Sequence, residues 1–388
     1  MNEWPMVKLG DACAINPRRD KSVINDTEIS FIEMKSLLEN GSVYPIITQA
    51  KDYLKGYTPF QHGDVLVAKI TPCFQNGKIG TASLPTKFGF GTTEFHVLRP
   101  KISLLPEYLT AFLRQPHILL SGERKMTGSG GQRRVPKSFL EQLIIPLPPL
   151  GEQKRIAEIL GKVARMADLV QSEISETQSL TNELLMQLTR GTTKKKPLGI
   201  ITLSKPDYGI SQPSMPYDPS IGRYVRITDI DENGELHDKA VSPKTGGNPL
   251  STKKLLQSGD LVIARSGATV GKSYLHYRDK VPHWFAGYLI RFAIDPEIIS
   301  PEIVFDYTKT IEYRAWIDSR KQTAAQPNIS AQIYSQELQI PIPTQDAQKT
   351  YLHKRKEVYA TNKLLHQKLA LLQELQRSLS ARAFAGLL

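Results

Sequence analysis

The sequence predicts an α+β protein written twice: two similar α/β globular domains separated by a pair of long antiparallel coiled-coil helices, with a pseudo-twofold that follows from internal duplication. Three observations predict it. A stretch near residue 60 recurs near residue 257, and each copy alternates short β-branched runs with Pro- and Gly-rich loops. Each copy then ends in a long segment of heptad pattern.

The duplication is read residue by residue. Gln61-His62-Gly63-Asp64-Val65-Leu66-Val67-Ala68-Lys69 aligns without a gap with Gln257-Ser258-Gly259-Asp260-Leu261-Val262-Ile263-Ala264-Arg265. Pro106-Glu107 answers Pro301-Glu302, Ile145-Pro146-Leu147-Pro148 answers Ile340-Pro341-Ile342-Pro343, and Gln153-Lys154 answers Gln348-Lys349, all at an offset of about 195. Glu39-Asn40-Gly41 matches Glu232-Asn233-Gly234. A period this long means a duplicated domain and excludes a solenoid.

In chain order, residues 1–148 read as the first globular domain, 149–191 as the first long helix, 192–343 as the second domain and 344–388 as the second long helix. The runs Asp64-Val65-Leu66-Val67 and Asp260-Leu261-Val262-Ile263 read as buried strands, with a helix over Pro106–Arg114 and another over Pro301–Arg320. From Ile156 a seam steps by four and three through Leu160, Val163, Ala167, Val170, Ile174, Thr177, Thr181, Leu184 and Leu188, apolar at all but the two threonines. Its counterpart runs from Tyr351 through Val358, Leu365, Leu369, Leu372 and Leu379 to Ala383, interrupted by Arg355, Asn362 and Gln376. Gly191 and Gly386 stand where a left-handed C-cap ends each helix. Each stripe needs a partner, and the other helix is the economical one. At about 1.5 Å per residue the seam makes a rod of roughly 50 Å.

A formal charge of +12 and a pI near 9.4 favour a polyanionic partner, since release of condensed counterions from phosphates gives a basic surface its affinity. Only Cys13 and Cys73 are present, too few for a disulfide framework or a thiolate zinc site. Met1-Asn2-Glu3-Trp4-Pro5 has neither a basic nor an apolar leader region, and no apolar run approaches membrane-spanning length, so the expected location is cytoplasmic.

Catalytic patterns are missing. Gly267-Ala268-Thr269-Val270-Gly271-Lys272-Ser273 is one residue short of a phosphate-binding P-loop, and the first copy keeps only Gly77-Lys78. Asn16-Pro17-Arg18-Arg19 and Asp218-Pro219-Ser220-Ile221 lack the second proline and the aromatic with which an amino-methyltransferase holds a flipped base. Pro206-Asp207 has no carboxylate–x–lysine after it to hold Mg²⁺, and the histidines are scattered without metal-ligand spacing. No catalytic residue and no metal ligand is assigned.

Loop residues with base-reading chemistry are the alternative. Arg and Lys pair with guanine O6 and N7, Asn and Gln with adenine N6 and N7. The candidates are Lys69, Gln75, Asn76, Lys78, Gln132, Arg133 and Arg134 in the first copy, and Arg265, Lys272, Gln326 and Asn328 in the second.

Two globular units, followed by "IPLPPLGEQKRIAEIL" and the weaker "IPIPTQDAQKTYL" and ending in helices such as "LLQELQRSLSARAFAGLL", resemble the specificity subunit of a type I restriction-modification system. The resemblance spans essentially the whole chain. It implies two target recognition domains, each reading half of a bipartite double-stranded DNA site, and helices that set the gap and dock two methyltransferase subunits. It further implies that S-adenosylmethionine, ATP and Mg²⁺ belong to partner methyltransferase and restriction/translocase subunits, with no cofactor on this chain. Thr344-Gln345-Asp346 departs from the first copy's Pro-Leu-x-Glu, so the two ends need not dock partners equivalently. A related system with a fused nuclease-methyltransferase partner, or a coiled-coil adaptor that binds protein, are the competing readings.

Overall fold

The computed structural model describes residues 4–129, 131–245, 250–277, 280–321 and 328–388. They form two compact units, residues 1–173 with 365–388 and residues 174–364. The division falls inside both long helices.

In the first unit, strands Cys13–Ile15, Phe95–Pro100, Val65–Ala68 and Ile79–Thr81 lie side by side in that order, antiparallel throughout. In the second, Asp207–Tyr208, Leu289–Ala293, Asp260–Ala264 and Ser273–Leu275 repeat the order and the directions. All of Val65–Ala68 and of Asp260–Ala264 is buried, in keeping with the unbroken apolar runs Val65–Ala68 and Leu261–Ala264. Each strand is introduced by the repeated aspartate, whose carboxylate accepts from a backbone N–H three residues back: Gln61 N–Asp64 Oδ2 is 2.7 Å and Gln257 N–Asp260 Oδ2 is 2.8 Å. A second four-stranded sheet of the first unit, Ile46–Gln49, Glu28–Ile32, Phe88–Gly91 and Thr58–Gln61, is reduced in the second to Arg223–Val225 parallel to His283–Phe285.

The Glu-Asn-Gly repeat is a packing device. Gly41 and Gly234 have φ of 89° and 84°, and a Cβ there would come within 2.8 Å of Ile79 O and 2.6 Å of Ser273 O. A cation from the following helical region fixes each loop: Arg114 donates to Glu39 O and Ile79 O, and Lys309 to Ser273 O and Oγ. Burial pulls the Lys309 ammonium down to about 8.

Helices Pro106–Leu113 and Pro301–Tyr307 each begin with proline in the first turn, where its missing N–H costs nothing. The single helix expected over Pro301–Arg320 is interrupted: Thr308–Thr310 form a break, and a second helix runs Ile311–Lys321. Thr308 Oγ1 and Thr310 Oγ1 donate to Phe305 O and Tyr307 O, taking carbonyls that an unbroken helix would have used.

The long helices are Leu150–Thr189 and Gln345–Phe384, 40 residues each. Gly191 and Gly386 follow them in the left-handed region, with φ of 76° and 71°. Of the seam residues, Ile156, Leu160, Val163, Val170 and Ile174 are buried. Leu184, Leu188, Val358, Leu365, Leu369, Leu372 and Leu379 are half-buried, and Leu185 is the buried leucine of its turn. The first-unit core takes in Ile156 and Leu160 from the start of one helix with Ala383, Leu379 and Phe384 from the end of the other. The second-unit core takes in Leu185 with Tyr351 and Leu352. Asn362 Nδ2 donates to Thr177 Oγ1 at 2.6 Å, so this polar seam pair satisfies itself.

Arg355, the charge in the second seam, answers to Asp306. Its Nε and Nη2 donate to the Asp306 carboxylate at 2.5 and 3.0 Å, and Tyr351 Oη donates to the same carboxylate at 2.6 Å. The equivalent first-copy residues, Ala111, Ile156 and Leu160, make an apolar contact in the same place.

The proline brake works through its glutamine. Gln153 Oε1 accepts from Leu105 N, and its Nε2 donates to Ser103 O and Pro148 O, each at 2.8 Å. Gln348 makes the same three bonds, with Ser300 N, Ile298 O and Pro343 O, each at 3.1 Å. Both side chains are buried. They tie the first turn of each long helix to the loop before the helix at Pro106 or Pro301.

Candidate nucleic-acid interface

Lys69 and Arg265 are the first residues beyond the two buried strands, and the chain returns to each from a later loop. Val135 N donates to Lys69 O and Ile329 N to Arg265 O, both at 2.8 Å. Isolated β-bridges Ile70–Arg134 and Ser266–Asn328 continue the contact. The two copies therefore build one geometry: a strand-end cation beside a loop that carries Arg134 in one case and Asn328 in the other.

In the first unit this loop is folded on itself and on residues 69–73. Thr127 and Arg134 exchange backbone hydrogen bonds of 3.0 and 2.8 Å, Thr71 N donates to Arg133 O at 3.0 Å, and Arg133 N donates to Thr71 Oγ1 at 3.1 Å. Lys69, Gln132, Arg133 and Arg134 are thereby brought together. Gln132 is exposed, and Arg133 stands 4.0 Å from Glu123. Arg134 Nε and Nη2 grip the Glu94 carboxylate at 2.9 and 2.8 Å, and Nη1 donates to Gln132 O at 3.2 Å. The hydrogen bonds from Arg134 hold the Glu94 carboxyl below the usual range, and the pairing raises Arg134 in turn.

Behind the loop stands a buried polar relay. His96 Nε2 donates to Val135 O at 2.8 Å, and its Nδ1 accepts from Asn16 Nδ2 at 3.1 Å, which fixes the neutral tautomer with the proton on Nε2. Asn16 closes the relay by accepting from Val97 N at 2.9 Å, in a left-handed conformation of φ 55°. Burial lowers the His96 pKa, so the ring stays uncharged beneath Lys69.

In the second unit the strand-end cation lies between aromatic faces. The Arg265 guanidinium carbon is 4.9 Å from the Tyr208 ring centroid and 5.9 Å from that of Tyr288. Its Nε is buried without a hydrogen-bond partner among the described residues. Tyr208 Oη accepts from Ala331 N at 3.1 Å, and Tyr288 is exposed. Asn328 is exposed beside this pair, while Gln326 lies outside the described residues.

The remaining candidates turn away. Asn76 Nδ2 donates to Glu39 Oε1 at 2.7 Å, Lys78 Nζ to Met34 O at 3.1 Å, and Lys272 Nζ pairs with Glu232 at 2.8 Å. All three serve the Glu-Asn-Gly side of their unit. Gln75 is half-buried, with Oε1 unpaired among the described residues. Reasoning from side-chain type missed Glu94, His96, Asn16, Tyr208 and Tyr288. The alignment of copies carried one signal for them: positions 94 and 288 both precede a strand and differ in chemistry.

Among the described residues no cluster of three or more His, Cys, Asp or Glu could hold a metal, and no helix is long and apolar enough to cross a membrane.

Comparison with known proteins gives a concordant result. A family model for the type I restriction modification DNA specificity domain matches residues 1–178. The chain is similar to the EcoAI specificity subunit of a type I restriction enzyme from Escherichia coli, 41% identical over 194 residues, which is 48% of this chain and 33% of the relative. It is similar also to the EcoEI specificity subunit from the same organism, 38% identical over 48% of this chain and 32% of the relative. The match spans about a third of the length of these relatives. The fold is like that of a type I restriction-modification S subunit from M. genitalium, with a TM-score of 0.59 over 98% of this chain and 96% of that one at 13% identity. The shared fold is a mixture of helix and strand.

Proposed function

We propose that the chain is the DNA-reading subunit of a type I restriction-modification complex, a reading supported by the match of residues 1–178 to the family model for the type I restriction modification DNA specificity domain. The observation that carries this is the repeated strand-end site, Lys69 beside the Ile70–Arg134 bridge and Arg265 beside the Ser266–Asn328 bridge. One scaffold holding two different sets of base-reading side chains suits a bipartite site whose halves differ in sequence. Each unit reads one half. The two 40-residue helices pair as an antiparallel spacer that sets the gap and offers a face to methyltransferase subunits. The chain is not itself an enzyme, and methyl transfer, ATP hydrolysis and cleavage, with their S-adenosylmethionine, ATP and Mg²⁺, reside in partners. The net charge of +12 supports a phosphate-rich ligand.

Binding of the full chain to duplex DNA is expected to weaken about 10³- to 10⁵-fold between 50 and 200 mM salt if some 6–10 phosphates are contacted. Fluorescence anisotropy across a salt series measures it. A flat salt response would rule out the DNA-reading role and favour a protein-binding adaptor, whereas equal affinity for every duplex sequence would rule out sequence reading.

A further inference from the structure

We propose that Arg134 reads a guanine in the major groove, with Glu94 as the positioning residue that holds its guanidinium plane. The inference rests on the DNA-reading role above and deepens it. A guanidinium has five N–H donors in one plane. Glu94 occupies Nε–H and one N–H of Nη2, and Gln132 O occupies one N–H of Nη1. One N–H on each terminal nitrogen is left without a partner among the described residues. These two donors lie in the plane that the carboxylate fixes, at the tip of a side chain that is 41% exposed. Guanine offers two neighbouring acceptors, O6 and N7, on its major-groove edge; adenine offers an acceptor beside a donor, and the N6 donor would face an N–H.

A phosphate could also accept such a fork, and Glu94 argues against it. The carboxylate stays ionised beside Arg134, so the pair presents directed donors with little net positive charge, and a phosphate approaching the tip would feel the carboxylate's repulsion. A neutral base edge is indifferent to that charge and gains from fixed geometry. The second unit carries Asn328 at the bridge position and Tyr288 at that of Glu94, so this carboxylate-held arginine contact is particular to the first unit.

The test uses the full chain and a duplex selected from a randomised pool. Each guanine of that duplex is replaced in turn by 7-deazaguanine, which removes only the N7 acceptor. At one guanine of one half-site the replacement is expected to weaken the wild-type chain about 5- to 100-fold, and to cost Arg134→Ala nothing further. Arg134→Lys should keep the charge but lose the planar fork that Glu94 holds, so its N7 dependence should fall below that of the wild type, with an unchanged melting temperature as the control for folding. Glu94→Gln should reduce the preference for guanine over adenine at that position.

If 7-deazaguanine costs wild type and Arg134→Ala equally at every guanine, or if both Arg134 variants weaken all duplexes alike, the guanine contact is wrong while DNA reading stands. If the pool yields no preferred sequence, the DNA-reading role fails and this contact with it.

Discussion

Replacing Asp306 by alanine is expected to destabilise the unit spanning residues 174–364 by about 3–5 kcal/mol, because it leaves the Arg355 guanidinium buried and uncompensated. Arg355 and Asp306 side chains are only 12% and 7% exposed, so solvent screens their interaction little. Tyr351 Oη would also lose its acceptor. The first unit shows what a repaired version looks like, with Ala111, Ile156 and Leu160 at the equivalent places. A triple variant, Asp306→Ala with Tyr351→Ile and Arg355→Leu, should recover most of the loss, since an apolar contact of similar volume replaces a buried ion pair at little or no cost. Urea unfolding monitored by circular dichroism gives both numbers. A wild-type midpoint in the single variant would mean that the triad is open to water in solution.

Loss of the brake glutamine is the second large effect. Gln153→Leu removes three hydrogen bonds and leaves Leu105 N–H, Ser103 O and Pro148 O without their partner, a loss of about 3 kcal/mol at roughly 1 kcal/mol net for each bond. Gln153→Glu is more telling. Its carboxylate can still accept from Leu105 N–H, but its other oxygen faces two carbonyls and must be protonated to donate. The folded pKa of that glutamate is therefore raised above its unfolded value, and in the window between the two the folded state binds more protons. Stability of this variant should fall as pH rises through the window, while the wild type changes less. Thermal melting from pH 4 to 8 follows it. A variant insensitive to pH would show that position 153 is reached by water.

Much of the frame was legible because it is written twice. The strand Val65–Ala68 and its repeat, the glycines at 191 and 386 and the paired brake glutamines all declared themselves through a match at about 195 residues. Side-chain roles were legible only where a pattern repeats. Glu-Asn-Gly could be aligned, yet its purpose lies in the carbonyls of Ile79 and Ser273, which no sequence pattern places against Gly41 and Gly234. Lys78 and Lys272 share the chemistry of Lys69 and Arg265, and only the direction of the chain after the strand turns them toward Met34 and Glu232. Arg355 breaks the heptad in sequence, because the carboxylate that justifies it lies 49 residues away. Glu94 and His96 escaped because their partners, Arg134 and Val135, come from a distant loop.

The first unit takes in residues 1–173 and then 365–388, and its core holds Ala383 with Phe384 against Tyr108 and Phe112 at ring-centroid distances of 5.2 and 5.4 Å. A ribosome delivers those last turns only after it has made all of residues 174–364. At about 5–20 residues per second, that places roughly 10–40 seconds between the synthesis of Glu173 and the arrival of the segment that packs on Tyr108. Throughout that interval the nascent chain carries an unfinished N-terminal core with an apolar opening. The second unit, contiguous in the chain, has every residue it needs first. Of the two units, the one whose synthesis starts earlier is thus the one that receives its last core residues later.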